Sequence, residues 1–451
     1  MSECHEGKDS RFRRVISGGA WSATAQAVNF LLSILLIPLV QKTFGVEILG
    51  IWLATTTLIV VLSIADFGIG NAAIAILTKL EDGLRDVGVI EIAMAATFLT
   101  VILAGLVYGC LSLVTYFEFW PALLNYSGDG DSDNLGRFFS IFTVYIAATL
   151  PLSIVERLQI GQQKMYIPRS LEVVGGCVAL VSCPLVIYAD GNLGELFLAR
   201  FLPYSALRVL NSGTFWFTSR YRLNSVSLER IRGYRRQLLI VGSSFFSMSF
   251  ASAISISSDP VLVSYFLGAD RVPEYSVPLR LFFIPSLLVG LFTLALWPAY
   301  SQAMRDTDTV WVRRTYLRSV VFAVLTTVPV CIFLFIVSPH IIPVWIGSEL
   351  PLPKGMLIAQ SAWVLLSVLG GITSPLLNAA GKEKLLAKLS IWMALVNIPL
   401  SIFLINILGP QGAMWGSVVA AFAFFTMPAL RVALQIVSGD GSGGEELSLT
   451  K

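Results

Sequence analysis

Long apolar stretches, separated by short polar ones, follow one another along the whole chain. Most exceed 20 residues, which is the length an α-helix needs to cross the hydrocarbon core of a bilayer. They lack the period-two alternation of β-strands, so a strand interpretation fails. The pattern predicts twelve membrane-spanning helices, near residues 16–40, 50–75, 88–115, 138–162, 168–189, 193–218, 238–266, 276–303, 316–338, 355–379, 386–408 and 411–434.

The composition supports an all-α protein that crosses the membrane many times. Only 13% of the residues are charged and 55% are hydrophobic, with a mean hydropathy of +0.77. Soluble domains carry about 25% charged residues. The stretch 16–40 is longer than the apolar core of a signal peptide and shows no small-residue cleavage site, so we expect it to be retained as the first helix.

The positions of lysine and arginine predict the orientation. If the N-terminus is cytoplasmic, most of the 31 basic residues fall in segments that face the cytoplasm. Because cytoplasmic loops carry an excess of Lys and Arg, this predicts that both termini are cytoplasmic. The acidic loop 116–137 suits the outer face. Only four basic residues fall in outer segments: Lys42, Arg137, Arg271 and Lys354.

The chain divides near its middle at a strongly basic stretch, with six predicted helices on each side. The halves resemble each other weakly, since 30–52 parallels 251–276. Six helices per half make the halves parallel, as in transporters whose substrate site lies between them. We predict a six-helix bundle at 1–218, a basic cytoplasmic linker at 219–237, a second bundle at 238–434 and a disordered Gly/Ser-rich tail at 435–451.

Motifs of nucleotide and metal chemistry are missing. The letters DFG at 66–68 occur without the other kinase motifs. Gly381-Lys382 lacks the rest of a phosphate-binding loop, and the two histidines and five cysteines have no zinc-type spacing. We therefore expect no enzyme activity, cofactor, metal site or nucleic-acid partner. Any uphill transport would depend on an ion gradient or on substrate supply.

Arginines within predicted spans are the main candidates for a site, because a charge at membrane depth is costly unless it is paired or hydrated. Arg200, Arg208 and Asn211 share one helix face, with Arg208 near the middle of the bilayer. Arg157 and Arg280 lie nearer the ends of their spans. We interpret these residues as the lining of a water-filled cationic cavity, since guanidinium groups bind phosphate with two parallel hydrogen bonds.

Structural ion pairs are the alternative for these arginines. Arg280 could pair with Asp259, and Arg157 with Glu156 or Glu172. Arg157 and Arg280 could also extend toward the membrane surface, since both lie near span ends.

Two acids within spans are candidates for coupling transport to protons or sodium. Asp259 precedes Pro260, and this pair is predicted to interrupt the seventh helix. Asp66 lies in the sequence SIADFGIGN, whose glycines allow a neighbouring helix to approach closely. The alternative for Asp66 is a packing role, with its carboxylate bonded to the backbone or to a neighbouring polar side chain.

Several segments resemble the bacterial polysaccharide flippases of the O-antigen and exopolysaccharide type. They are GGAWSATAQAVNFLLSILLIPLV, LGIWLATTTLIVVLSIADFGIGNAAI, FLGADRVPEYSVPLRL and LLNAAGKEKLLAKLS. This family belongs to the multidrug/oligosaccharidyl-lipid/polysaccharide exporter superfamily. The resemblance spans nearly the whole chain, although this sequence departs from the family at VLVSYFLGADRVPEY, a segment that Asp259-Pro260 and Pro273 make less regular than usual.

The resemblance implies two six-helix bundles around a central cavity, in the bacterial inner membrane. It implies flipping of undecaprenyl-diphosphate-linked oligosaccharide from the inner to the outer leaflet by alternating access. The implied partners are this lipid-linked glycan, membrane lipid, and a polysaccharide polymerase with glycosyltransferases. The alternative is a multidrug exporter of the same superfamily, driven by protons or sodium. The four arginines within spans argue against it.

Overall fold

A computed structural model of the protein describes residues 2–78, 80, 85–126, 132–219 and 225–438. No β-strand occurs among these residues. Nine of the helices in this part of the chain are long and apolar enough to cross a membrane. The prediction of an all-α membrane protein is therefore confirmed, whereas the number of twelve crossings stays a prediction.

Most helices of the N-terminal half follow the predicted spans closely, whereas the first runs from span 16–40 into span 50–75 and is kinked between them at the non-helical Gly45 (φ 86°, ψ 176°). The predicted span 193–218, for example, corresponds to a helix at Leu193–Ser219. The helices are α1 Ser2–Leu62, α2 Ile69–Leu77, α3 Arg85–Tyr116, α4 Phe119–Leu123, α5 Ser132–Gly161, α6 Tyr166–Tyr188 and α7 Leu193–Ser219.

Within its described residues, the C-terminal half contains nine α-helices of very different lengths and one π-helical segment, Phe422–Thr426. The helices are α8 Leu228–Ser257, α9 Asp259–Leu267, α10 Val272–Phe282, α11 Ile284–Arg305, α12 Thr309–Ile346, α13 Lys354–Ala379, α14 Glu383–Leu408, α15 Pro410–Ala421 and α16 Met427–Ser438.

Three predicted spans are broken rather than continuous. The span 50–75 changes to a 3-10 turn at Ser63–Asp66, and then Phe67 and Gly68 adopt left-handed conformations (φ 51° and 73°). The span 276–303 is interrupted at Phe283. The predicted interruption at Asp259-Pro260 is found between α8 and α9. Proline and left-handed residues cannot continue a helix, which accounts for two of these breaks.

The chain divides into two compact units. The first comprises Met1–Ala253 with Gly268–Asp270, and the second comprises Ile254–Leu267 with Arg271–Lys451. The boundary therefore lies within α8, after the predicted linker. Of that linker, residues 220–224 lie outside the described residues, and the part from Leu228 onward is helical. The predicted tail beyond residue 438 also lies outside the described residues.

The basic segment at the start of α8 belongs to the first unit and is hydrogen-bonded to α3. The Nε atom of Arg230 donates to both carboxylate oxygens of Glu91 in α3, each at 2.9 Å, and the backbone NH of Ser227 donates to the same carboxylate at 2.8 Å. Glu91 is buried, so Arg230 compensates a charge that would otherwise be costly. Part of the region predicted as a linker thus belongs to the packed structure.

Candidate functional site

Helices α5, α6 and α7 line a cavity of about 270 Å³ within the first unit. Charged side chains of both signs contribute to its wall. They are Glu156 and Arg157 from α5, Arg169 and Glu172 from α6, and Arg208 from α7. A hydrated, charged cavity between helices is the kind of environment in which such side chains are tolerated at membrane depth.

Arg208 both lines this cavity and forms an ion pair. Its Nε atom donates to the Glu156 carboxylate at 3.0 Å, and the two side chains remain 32% and 17% exposed. The cavity position and the ion pair, which are alternatives in the sequence interpretation, therefore occur together. A partly exposed guanidinium keeps donors available for another acceptor.

Arg200 lies beside the cavity rather than among its lining residues. Its Nη2 atom donates to the Asn29 side-chain oxygen at 3.1 Å, and its guanidinium lies over the Tyr204 ring, 5.1 Å from the centroid. Asn29 also accepts from the Tyr204 hydroxyl (2.9 Å) and donates to Glu172 (3.1 Å). Asn29 thus connects Arg200 to a carboxylate of the cavity wall.

Asn211 and Arg157 have different surroundings. Asn211 is buried and exchanges two amide hydrogen bonds with Gln159 of α5, at 2.7 and 3.0 Å, so it joins α5 to α7 and does not line the cavity. Arg157 lines the cavity, and its Nη1 atom donates to the Asn71 side-chain oxygen at 3.3 Å. This partner differs from the glutamates considered above.

Three charged residues of the cavity wall, Glu156, Arg169 and Glu172, are not predicted as site residues from the sequence. The two glutamates enter the sequence interpretation only as possible partners of Arg157, and Arg169 lies near the predicted start of its span, where a basic residue is ordinary. In the structure, Arg169 donates to Glu172 at 2.6 Å, while its buried Nε has no hydrogen-bond partner in the described part of the chain. Their spacing of three residues on a helix was the signal available, since such residues share a face.

Asp66 lies two residues before Gly68, the N-cap residue of α2, and it bonds the backbone there. Its carboxylate accepts hydrogen bonds from the backbone NH groups of Gly68 (2.9 Å) and Gly70 (3.1 Å), one on each oxygen. The NH of Gly70 is one of the donors that the first turn of a helix leaves unsatisfied. The arrangement fits the structural alternative, and an ion-coupling role for Asp66 stays a prediction.

Asp259 lies in a buried polar cluster of the second unit. The carboxylate is 1% exposed and accepts hydrogen bonds from Tyr275 (2.8 Å), Ser417 (2.6 Å) and Ser401 (3.5 Å). Asn397 bonds both serines, at 2.9 and 3.0 Å. These side chains come from α9, α10, α14 and α15, and they surround the carboxylate with oxygen atoms.

Arg280 lies in the last turn of α10, in the second unit. The cavity of the first unit therefore does not include it, and the hydrogen bonds that Asp259 accepts come from hydroxyl groups. Among the described residues, no group of three or more His, Cys, Asp or Glu side chains could hold a metal ion.

Comparison with protein families finds a match over the middle of the chain. The model of a family described as "Polysaccharide biosynthesis protein" matches residues 197–350, from α7 to just beyond α12. This segment contains Arg200, Arg208, Asp259 and Arg280. No curated protein matches the chain in sequence.

Solved structures match the fold over almost its whole length. An inward-facing multidrug resistance MATE family transporter of the MOP superfamily has a TM-score of 0.71 at 16% identity, with 96% of each chain covered. The lipid II flippase MurJ, in an inward closed conformation, has a TM-score of 0.67 at 14% identity, covering 92% of this chain and 89% of MurJ.

A MOP superfamily transporter from Pyrococcus furiosus, described as having a binding pocket of reversed polarity, has a TM-score of 0.61 at 15% identity, covering 94% and 96% of the two chains. At these identities the structures show the fold, which this chain shares with several multi-pass membrane proteins. Together with the family match, they support the predicted polysaccharide flippase family.

Proposed function

We propose that the protein is a flippase that moves undecaprenyl-diphosphate-linked oligosaccharide from the inner to the outer leaflet of the bacterial inner membrane. The observation that carries this proposal is the cavity of the first unit, with Arg157, Arg169 and Arg208 in its wall. A diphosphate head group cannot cross hydrocarbon without compensation of its charge. Arginine forks supply that compensation, because each can donate two parallel hydrogen bonds to phosphate oxygens.

The family match and one of the fold relatives point in the same direction. The matched family is described as one of polysaccharide biosynthesis proteins. The matched segment begins at Phe197 and so contains Arg208 and most of α7. MurJ, which shares the fold, is a lipid II flippase. We therefore infer a lipid-linked glycan as substrate, supplied by glycosyltransferases and used afterwards by a polysaccharide polymerase.

A multidrug exporter is the second candidate function. The observation in its favour is the match over 96% of the chain to a multidrug resistance transporter. Three arginines in one cavity suit an anionic substrate better than the cationic compounds that acidic and aromatic pockets attract. Both candidate functions use the same fold, so they are distinguished by the charge of the substrate.

Coupling to a proton or sodium gradient is assigned, in this proposal, to Asp259. Its carboxylate is surrounded by hydroxyl and amide oxygen atoms, which suit either a shared proton or a small hard cation. An acid buried at membrane depth is costly unless it serves such a purpose or is fully hydrogen-bonded. We propose that rocking of the two halves alternates access to the substrate, while this cluster takes up and releases the ion.

The test is a flipping assay with purified full-length protein in proteoliposomes, using a fluorescent polyprenyl-diphosphate-linked sugar and a membrane-impermeant quencher. Arg208→Gln should lower the flipping rate about a hundredfold, since it removes a charged donor to the phosphate. Arg208→Lys should keep part of the activity, because it retains the charge but loses the bidentate geometry.

Arg318→Gln is the matched control, because Arg318 is an exposed residue in the third turn of α12 and the change removes the same charge. It should flip at the wild-type rate. Wild-type rates for Arg208→Gln would contradict the role of the cavity. Transport of cationic drugs, without movement of the labelled lipid, would favour the multidrug exporter instead.

A further inference from the structure

Two arginine–glutamate pairs face the same cavity. Arg208 is bonded to Glu156 at 3.0 Å and Arg169 to Glu172 at 2.6 Å, and all four side chains belong to the cavity wall. Arg157 is the fifth charged residue of the wall. With its glutamates in place, the wall therefore carries only a small excess of positive charge, although it contains three arginines.

We propose that Glu156 and Glu172 are built-in counter-ions that occupy the arginines while the cavity is empty and are displaced when the anionic head group binds. This inference rests on the proposed function, and it specifies how the same site alternates between its loaded and empty states. Carboxylates and phosphates accept hydrogen bonds from the same donors of a guanidinium, so the substrate and the glutamates compete for them.

The physical reason is the return of the empty protein. A carrier that has released its anion must pass back through a state in which the cavity is closed to water. Unpaired arginines in such an environment are strongly unfavourable, and opposite charges at hydrogen-bond distance remove that penalty. Without the glutamates, the cavity would release its anion slowly, and the protein would return slowly to the inward-facing state.

Asn29 strengthens the argument for Glu172. Its amide nitrogen donates to one carboxylate oxygen of Glu172 at 3.1 Å, and Arg169 donates to the other. The Asn29 oxygen accepts from both Arg200 and Tyr204. Glu172 therefore keeps a hydrogen-bond partner when a phosphate takes Arg169, which lowers the cost of the exchange.

The expected result has two opposite parts. Glu156→Gln should bind undecaprenyl diphosphate about tenfold more tightly than wild type, because Arg208 no longer has a competing carboxylate. The same variant should complete a first flipping turnover but show steady-state flipping at least about tenfold slower, because the empty cavity returns slowly. A purely structural role of Glu156 would weaken binding and turnover together.

The experiment measures the Kd of full-length protein in nanodiscs for undecaprenyl diphosphate, with uncharged undecaprenol as a second probe. First-turnover amplitude and steady-state rate are then measured in proteoliposomes with the fluorescent lipid-linked sugar. Glu349→Gln, which removes an exposed carboxylate after α12, is the matched control and should leave both quantities unchanged. Glu172→Gln should likewise bind the diphosphate more tightly and turn over more slowly, because it frees Arg169. This variant replaces Glu156→Gln in the test if Glu156→Gln does not fold.

The proposal is overturned if both glutamine variants bind undecaprenyl diphosphate no more tightly than wild type, or bind it more tightly and still turn over at the wild-type steady-state rate. An equal gain in affinity for undecaprenol would also overturn it, since that probe has no charge to compete with. If wild type itself neither binds nor flips the diphosphate lipid, the proposed function fails, which is a separate outcome.

Discussion

Asp66 and Asp259 look alike in the sequence, since each is a single acid within an apolar stretch, and the structure gives them different surroundings. Asp66 accepts hydrogen bonds from two backbone NH groups near the start of α2. Asp259 instead accepts hydrogen bonds from hydroxyl groups on three other helices. The partners of Asp66 are two and four residues away and could be inferred from the glycines that follow it. Those of Asp259 are up to 158 residues away, so no local pattern shows them.

Removing each carboxylate separates the two acids by function. We expect Asp259→Asn to make flipping insensitive to an imposed proton or sodium gradient, because an amide neither takes up a proton nor offers a charge to a cation. Asp66→Asn should keep the gradient dependence, since the Asn side-chain oxygen can still accept one of the two backbone hydrogen bonds. Flipping in proteoliposomes, with and without each gradient, provides the measurement.

Asp66→Ala completes this set. It should lower the free energy of unfolding by about 1 kcal/mol through loss of the hydrogen bonds to Gly68 and Gly70, without changing the gradient dependence. Loss of gradient dependence in Asp66→Asn, together with its retention in Asp259→Asn, would reverse the assignment.

The same limit applies to the arginines. Their depth in the membrane and their helix face follow from the sequence, because both depend on positions along one helix. The partner of Arg208, Glu156, lies 52 residues away on another helix. Whether an arginine is paired or free depends on how α5 and α7 pack, which the periodicity of either helix does not contain.

At the scale of elements, the apolar pattern predicts where helices lie but misses most of the breaks within them. Phe67 and Gly68 separate the 3-10 turn from α2 because both have positive φ values. Gly68 also faces the backbone of α8, where an added Cβ would meet the oxygen of Gly242 and lie 2.8 Å from the backbone nitrogen of Phe246. The sequence interpretation anticipated a close approach at these glycines but not the break in the helix.

Gly68→Ala should therefore be strongly destabilising. The left-handed conformation costs alanine about 1–2 kcal/mol, and the contact with α8 adds a further penalty, so we expect a total loss of about 2–4 kcal/mol. Gly213→Ala is the matched control, because Gly213 is an exposed residue within α7 with no atom within 4 Å of an added Cβ. That variant should be neutral or up to about 1 kcal/mol more stable. Thermal unfolding in detergent compares the two, and equal Tm values would contradict the close approach.

At the scale of the whole molecule, the weak similarity of the two halves agrees with one backbone feature. The segments 30–52 and 251–276 each contain a glycine with positive φ, Gly45 at 86° and Gly268 at 109°. Glycine adopts this conformation without the steric cost that other residues pay. The similarity of sequence is thus accompanied by a similar local break, which supports an internal repeat without fixing the number of membrane crossings.

The number of crossings can be tested between the basic segment and the loop after α12. The predicted topology places three spans between Arg232 and Glu349, near 238–266, 276–303 and 316–338, so these residues should lie on opposite sides of the membrane. Two apolar helical segments long enough to cross a membrane are described in this interval: Ala269–Gly290, which joins α10 to the first turns of α11, and Thr309–Ile346, which is α12. Two crossings would place both residues on the same side. An odd and an even count therefore give opposite results.

We expect three crossings between the two residues, because this number keeps the basic segments of the chain on the cytoplasmic side. In a variant whose five cysteines are replaced by alanine, Glu349→Cys should react with an impermeant maleimide in cells with a permeabilised outer membrane. Arg232→Cys should react only after the inner membrane is opened. Both positions are exposed, so reactivity reports the side of the membrane rather than burial. Labelling of both cysteines on the same side, either from the outside or only after the inner membrane is opened, would contradict the odd count and mean that α8 with α9, or α10 with α11, does not cross as a single span. If both react from the outside, the cytoplasmic position of the basic segment is wrong as well.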